Sequence, residues 1–254
     1  MPMRRTSSLF CLFLLPSTLL ISCSSSDSQS SEKAVTTTTT AEPVLTINGY
    51  VIAPNADLSN ADLQGADLSG ADLTGAILTG ANLKGAVMNG VDLTEADLSF
   101  ANLTSASLMQ AKLVGANFSS ANCTQTNFGQ AVMSYANFRS ANLTQAFMML
   151  ADLTKSTLSG AVMVGAMLDA VNMTDAEMVA TDLSRASMHG ANLTGANLKN
   201  ANLSGASLAS GDFATPPLQT NLTRANLTGA NLKDAIMTDV ILIDATMPDG
   251  TIHK

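Results

Sequence analysis

The chain has 254 residues, enough for one or two ordinary domains, yet only 13 % of them are charged, 4 % are aromatic and none is tryptophan. Because large aromatic side chains are scarce, we expect a core built mainly from Ala, Leu and Met. The formal net charge of −8 disfavours binding to nucleic acid or to anionic lipid through charge.

A secretion signal is predicted over residues 1–22. Basic Arg4 and Arg5 precede an apolar stretch at 9–20, which is shorter than the roughly 20 apolar residues that span a bilayer. The sequence LISC at 20–23 then resembles the lipobox of bacterial lipoproteins, in which a branched residue and a small residue precede an invariant cysteine. The resemblance implies cleavage before Cys23 and acylation of its sulfur. An ordinary secretory peptide with an incidental cysteine is the alternative.

Residues 23–43 are rich in Ser and Thr and poor in apolar side chains. Such a segment cannot bury enough surface to offset its ordering entropy, so we expect a disordered tether after the lipidated Cys23, with a reach of roughly 25 Å. Ser24 takes the place of the Asp that marks retention in sorted lipoproteins, and this resemblance favours the outer membrane, on its periplasmic or surface face, if the cell has one. The expected location is therefore the cell envelope, with the lipid bilayer as the first partner.

A five-residue repeat begins at Ala56 and continues as ADLSN, ADLQG, ADLSG and ADLTG. It runs without a slip to Thr215 as 32 units, of which 26 begin with Ala, and the third position is always apolar. Neither an α-helix nor a flat strand would point every third-position side chain to one side. A backbone that turns a corner once per unit would do so. Positions one and three then point inward, while positions two, four and five face solvent.

The unit A(D/N)LXX is the motif of the pentapeptide-repeat family, which the chain resembles over about three quarters of its length. The resemblance implies an all-β fold, a right-handed quadrilateral β-helix with four units per coil and about 9–10 coils. Residues 20 apart should then stack. This predicts Phe118 beneath Phe138 and a ladder of side-chain amides at Asn82, Asn102, Asn122 and Asn142.

The repeat is interrupted once, by PPLQ at 216–219, which we interpret as an extrusion at a corner because proline cannot donate to a ladder. Six further units run from Thr220 to Asp249, so the solenoid is assigned to 56–249. Solenoid ends expose core and strand edges and need covers. Residues 44–55 are expected to cap the N-terminal end and 250–254 to form a C-terminal cap or tail.

No residue pattern indicates a catalytic, metal or cofactor site, and we expect the protein not to be an enzyme. His189, at an outward fourth position, and His253, near the terminus, have no partner in the sequence pattern. Cys123 lies at an inward third position, where a thiol behaves as a small hydrophobe. Four consecutive second-position carboxylates would leave four different sides of the coil and could not converge on a metal: Asp57, Asp62, Asp67 and Asp72.

One group of outward positions is apolar on a surface otherwise coated with Asp, Asn, Ser and Thr. At 20 residues per coil its members fall on one side, centred on Phe147: Val87, Met109, Phe147, Met149, Leu150 and Met167. Exposed apolar surface of this kind marks an interaction site, for an envelope protein or for a second copy in a homodimer. The alternative is that second-position side chains lie flat and only cover the edges of neighbouring alanines.

Two functions remain open. The first is a membrane-anchored, non-catalytic scaffold of the bacterial envelope. The second is an acidic mimic of DNA that inhibits a nucleic-acid-binding enzyme, resembling the quinolone-resistance pentapeptide proteins that bind gyrase. Residues 56–249 hold 17 acids and 8 bases, a net −9, over a solenoid of about 46 Å. B-DNA of that length carries about 27 charges. The first function is therefore favoured, and no nucleic acid is expected as a partner.

Overall fold

The computed structural model describes residues 45–211 and 217–254. The predicted signal, the lipidated Cys23, the tether and Val44 lie outside the described residues, as do 212–216. Within the described part of the chain, no helix is both long and apolar enough to cross a membrane.

Two short strands form a hairpin before the repeats. Strand β1 is Thr46–Ile47 and strand β2 is Tyr50–Val51, and they pair antiparallel with Thr46 opposite Val51. Asn48 and Gly49 join them in the left-handed conformation, with φ of 52° and 83°, as a tight hairpin turn requires. Ile52 is buried in the core after the hairpin. The Tyr50 hydroxyl accepts a hydrogen bond from the Asp62 N–H at 3.3 Å, so the hairpin lies over the first coil.

From Asp57 to Ser187, each second-position residue forms a parallel bridge to the residue 20 positions further on. Four columns of bridges result, which we number as faces 1 to 4 by their first members, Asp57, Asp62, Asp67 and Asp72. The predicted four units per coil are therefore confirmed. The four carboxylates lie on four different faces, as expected from the period.

The interior is filled by the first and third positions. Leu63, Leu103 and Ala101 are fully buried. The same alternation of Ala with a larger apolar side chain continues along the β-helix. Phe118 stacks beneath Phe138 with ring centroids 4.7 Å apart, as predicted, and Phe128 packs edge-on against both rings. The assignment of positions one and three to the core is confirmed.

Hydrogen bonds from the second residue support the corner in many units. A second-position Asp or Asn accepts the N–H of the fourth residue, as Asp57 does from Ser59 at 3.0 Å and Asn102 from Thr104 at 3.2 Å. The fifth residue then adopts a left-handed conformation, with φ near 57° at Asn60. The carboxamide or carboxylate at position two thus replaces a backbone acceptor, which is why Asp and Asn dominate there.

The predicted amide ladder at Asn82, Asn102, Asn122 and Asn142 is not formed between those side chains. Their backbones are bridged in register, but Asn102, Asn122 and Asn142 each use Oδ1 to accept the hydroxyl and N–H of the Thr two residues on. Amide bonds between coils form at other positions: on face 1 Asn137 Nδ2 donates to Asn117 Oδ1 at 3.0 Å and Asn117 Nδ2 to Asp97 Oδ1 at 2.9 Å. On face 4, Asn192 Nδ2 donates to Asn172 Oδ1 at 3.4 Å.

Four inward first positions of the described residues hold a hydroxyl in place of the alanine methyl. Thr126 Oγ1 donates to the Leu103 carbonyl at 2.7 Å, Thr181 Oγ1 to the Leu158 carbonyl at 2.9 Å and Thr220 Oγ1 to the Met188 carbonyl at 2.8 Å. Ser156 is equally buried, but its Oγ has no hydrogen-bond partner among the described residues. Three of the four hydroxyls are therefore satisfied by a carbonyl of the neighbouring coil, as buried polar groups usually are, and Ser156 is the exception.

The interruption of the stack is longer than the extrusion predicted at 216–219. Asn192 bridges Asn221, an offset of 29 rather than 20 residues, so the register gains nine residues between Ser210 and Thr220. Gly211 and Leu218 pair antiparallel at this point, with N–O distances of 2.7 and 2.9 Å. Thirty-one units, 56–210, precede the interruption. At the C-terminal end, Ile252 bridges Thr246 antiparallel, so the tail folds back on face 1.

Candidate interaction face

The six apolar residues predicted to form a partner surface all lie on face 3 or its corner, and all are exposed. Their exposed fractions run from 37 % to 57 %: Val87, Met109, Phe147, Met149, Leu150 and Met167. Second-position members therefore lie partly against the surface, yet they keep about two fifths of their area accessible. We call Met109, Phe147, Met149, Leu150 and Met167 the Phe147 patch.

Phe147 stands between two shallow hollows. The first, of about 290 Å³, is lined by Met109, Met149 and Leu150 together with Gly129, whose missing side chain leaves the gap between the two methionines. The second, of about 410 Å³, lies across Phe147 and is lined by Met167, Gly165 and two glutamines, Gln125 and Gln145. Val87 lies apart from the patch, because Ser107 and Asn127 separate it from Phe147 in the column of bridges.

Face 3 is uncharged from Val87 to Leu150. Over this range none of its second-, fourth- and fifth-position residues is Asp, Glu, Lys or Arg, and Asp169, in the unit of Met167, is the first charge above the patch. The other faces carry charges at that height, among them Asp92, Asp97, Lys112, Arg139 and Asp152. An apolar patch in an uncharged surround can be desolvated without burying an unpaired charge, which is what a protein interface requires.

Leu150 occupies a corner position with φ of 59° while 57 % of the residue is exposed. A left-handed conformation costs an ordinary residue roughly 1–2 kcal/mol, and an exposed side chain offsets little of this by burial. Phe100 and Tyr135 have the same conformation at other corners. Leu150 differs from them because it adjoins Phe147 and Met149 in one hollow.

Cys123 is fully buried, and burial raises the pKa of its thiol, so the sulfur is held as an inert core group. Within the described residues, no group of three or more His, Cys, Asp or Glu side chains is arranged to hold a metal ion. Cys23, the predicted site of lipid attachment, lies outside the described residues.

The prediction that His189 lacks an acid–base partner is wrong. Its Nδ1 lies 2.9 Å from Asp169 Oδ1, and its Nε2 lies 2.7 Å from Ser207 Oγ. Ser187 Oγ lies 2.8 Å from the same Nδ1 and donates to Asp169 Oδ1 at 2.6 Å. Asp169 and Ser207 are 20 and 18 residues away in sequence, so only coil stacking brings them together. Reading each face as a column would have placed Asp169 directly below His189.

Comparison with known proteins places the chain in a family. The family model for pentapeptide repeats matches eight copies, over residues 50–80, 78–110, 111–148, 148–185, 186–214 and 219–248. The chain belongs to the pentapeptide-repeat family. That membership supports the right-handed, four-sided β-helix, and pentapeptide-repeat proteins are generally structural or interaction proteins.

Solved pentapeptide-repeat structures resemble this one. HetL, a protein involved in heterocyst differentiation regulation from the cyanobacterium Nostoc sp. strain PCC 7120, is 34 % identical, with 79 % of this chain and 90 % of that chain covered and a TM-score of 0.26. QnrB1, a plasmid-mediated fluoroquinolone resistance protein, is 18 % identical over 78 % and 89 %, with a TM-score of 0.42. A protein of the Arabidopsis thaliana thylakoid lumen is 24 % identical over 55 % and 70 %, with a TM-score of 0.30. No curated protein matches the sequence.

Proposed function

We propose that this pentapeptide-repeat protein is a lipid-anchored interaction scaffold of the bacterial envelope, and that a protein partner docks on face 3 at the Phe147 patch. The observation that carries the proposal is the coincidence of exposed apolar side chains with an uncharged surround on one face. A stacked β-helix is a stiff support, so a patch on it is presented without a large ordering cost.

The shape of the patch defines the partner surface that would fit it. A large apolar side chain on either side of Phe147 would enter the two hollows, and amide groups of Gln125 and Gln145 would serve polar groups at the rim. Methionine side chains adapt to varied shapes, which suits Met109, Met149 and Met167 to this role. An envelope protein with a short apolar ridge and few charges meets these requirements, and a second copy of the chain is the alternative occupant.

The anchor is supported by sequence alone. LISC at 20–23 gives the lipobox pattern, and 23–43 give a tether of about 25 Å reach. Several acyl chains on Cys23, each contributing about 0.8 kcal/mol per buried CH₂, would hold the protein stably at a bilayer. The Cys23→Ser variant should then leave the membrane fraction with an unchanged melting temperature. A variant that stays in that fraction after a high-salt wash would contradict the anchor and leave the docking face unaffected.

The DNA-mimic alternative is less well supported. Its charge would need to be spread along a continuous acidic surface, yet residues 87–150 of face 3 are uncharged and the solenoid as a whole carries about a third of the charge of equally long DNA. We therefore assign no nucleic-acid-binding enzyme as its target.

A double variant tests the docking face. Phe147→Asn with Leu150→Gln replaces each residue by the one that the chain itself places one coil below, Asn127 and Gln130. Phe100→Ser is the matched control, because it removes an exposed aromatic from the face 1 corner and copies Ser120 one coil above.

The measurement is cross-linking in intact membranes followed by isolation of the protein. We expect defined cross-linked species in the wild type and in Phe100→Ser, and their loss in the double variant at an unchanged melting temperature. Species that persist in the double variant would show that the Phe147 patch is only surface packing.

A further inference from the structure

Three polar side chains on face 3 form a directed chain of hydrogen bonds above the Phe147 patch. Asp169 Oδ1 lies 2.9 Å from His189 Nδ1, and His189 Nε2 lies 2.7 Å from Ser207 Oγ. A carboxylate can only accept a hydrogen bond, so the imidazole carries its proton on Nδ1 toward Asp169. In the neutral ring, Nε2 is then the acceptor for the Ser207 hydroxyl. This order of acid, imidazole and hydroxyl activates serine as a nucleophile.

Asp169 is held firmly in this arrangement. Its side chain is 14 % exposed, and the same Oδ1 also accepts the Ser187 hydroxyl at 2.6 Å and the His189 N–H at 2.9 Å. The carboxylate is thus fixed by groups from the next coil and can orient the ring without moving. We treat Asp169 as a positioning residue for His189.

The same face contains a purely structural version of this contact. Ser107 Oγ donates to Asn89 Oδ1 at 2.7 Å, and the Met109 N–H donates to the same oxygen at 3.1 Å. This pair repeats the bonds that Ser187 and the His189 N–H make to Asp169, but it includes no imidazole. The stack therefore closes without a histidine at the fourth position, and the bond from His189 Nε2 to Ser207 is additional.

The neighbour of Ser207 on one side offers apolar surface to an acyl group. Its bridge partners in the column are the exposed Ile236 on one side and the polar Ser187 on the other. Leu218 lies near the corner of the His189 unit, since a Cβ on Gly190 would be 2.8 Å from Leu218 Cβ. His189 itself is 34 % exposed, which leaves the relay open to solvent and substrate.

We propose that Ser207 is the nucleophile of a hydrolytic site for small apolar acyl esters, with His189 as its general base. Ser207 Oγ forms a bond to the acyl carbon as its proton passes to His189 Nε2. The bond from the acyl carbon to the ester oxygen breaks, and the leaving alcohol takes that proton. Water then attacks the acyl group, gives one proton to His189, and releases the acid as Ser207 regains its hydrogen. The expectation that the protein is not an enzyme would then be wrong, while the docking face would be unaffected.

The test uses the full-length protein with p-nitrophenyl butyrate as substrate and an alkyl fluorophosphonate as covalent probe. We expect one adduct per chain, mapped by mass spectrometry to Ser207, and ester hydrolysis that the adduct abolishes. Ser207→Ala should remove both signals. Ser207→Asn provides a second variant that keeps a residue common at second positions, in case the alanine variant does not fold.

Two further variants separate chemistry from packing. His189→Gln removes the general base. Asp169→Asn introduces an amide that can donate to Nδ1 and so favours the other tautomer of the imidazole. Each variant should lower the labelling rate by about 100-fold at an unchanged melting temperature. Ser107→Ala, which alters the equivalent structural pair, should leave the rate unchanged. Two results would overturn the proposal: a wild-type protein labelled no faster than Ser207→Ala, or a folded His189→Gln variant that is labelled as fast as the wild type. The three residues would then be only a hydrogen-bonded ladder.

Discussion

Two sets of large apolar side chains lie within a few coils of one another and behave in opposite ways. Phe118, Phe128 and Phe138 are fully buried and pack ring against ring inside the β-helix. Phe147 and Leu150 lie outside on face 3 with 40 % and 57 % of their area exposed. Position within the five-residue unit decides between these fates, because third positions point inward while second and fifth positions do not. The need to fill the core accounts for Phe118, Phe128 and Phe138, whereas the fold does not require apolar side chains at positions 147 and 150.

The largest effect should come from the inner set. Phe128→Ala should lower the free energy of unfolding by about 3–5 kcal/mol, because it empties a site between two other rings. Phe100→Ala, the same deletion at a residue 69 % exposed, should change it by no more than about 0.5 kcal/mol. Denaturant unfolding of the two variants provides the measurement. Equal losses would contradict the assignment of positions to the inside and outside.

Acid should lower the stability that the outward carboxylates contribute, while the contribution of the buried phenylalanines should not depend on pH. Hydrogen bonds from the Ser59 hydroxyl and then its N–H lower the pKa of Asp57, and Ser69 does the same for Asp67. A lowered pKa in the folded state means stability that is present above the unfolded pKa of about 3.9 and is lost as pH falls through the folded value. Melting temperatures should therefore fall below about pH 4, and less steeply in Asp57→Asn with Asp67→Asn. An identical acid response in that variant would show that these carboxylates do not contribute.

A smaller effect is expected at the inward hydroxyls. Ser156→Ala should raise the free energy of unfolding by about 1 kcal/mol, since it removes a buried Oγ without a partner. Thr126→Val should lower it by about 1 kcal/mol, because its hydroxyl is bonded to the Leu103 carbonyl. Opposite signs in chemical unfolding would sharpen the account of the core. A loss of stability in Ser156→Ala would instead indicate that this hydroxyl has a partner in solution.

The smallest change in stability should come from the outer set. Phe147→Asn with Leu150→Gln should change the free energy of unfolding by no more than about 0.5 kcal/mol. The gain from an amide that tolerates the left-handed corner should offset part of the lost apolar contact. A loss of several kcal/mol in the same unfolding experiment would show that the Phe147 patch contributes to stability as core residues do.

The period of five residues was sufficient to predict the inward positions, and the family resemblance, which implies four units per coil, added the stacking of Phe118 on Phe138. It failed where local chemistry or an interruption decides the structure. Asn102 accepts a bond from its own Thr104 and makes none to Asn122, whereas Asn192 accepts from Thr194 and also donates to Asn172, so the period alone does not decide which amides form a ladder. The interruption was underestimated because GDFAT at 211–215 fits the repeat, with an apolar Phe213 at its third position. The partners of His189 were missed because the fourth-position column of face 3 was read for apolar residues such as Met109 and Met149, and not for polar partners of His189.

The most direct test of the docking face is site-specific photocross-linking in the membrane-anchored, full-length protein. A benzophenone amino acid would replace Phe147 in one variant and Phe100 in another, so that both report from exposed aromatic positions on different faces. We predict a discrete cross-linked species, with a second copy or another envelope protein, from position 147 and none from position 100. Equal cross-linking from the two positions, or none from position 147, would contradict the conclusion that face 3 is the binding surface.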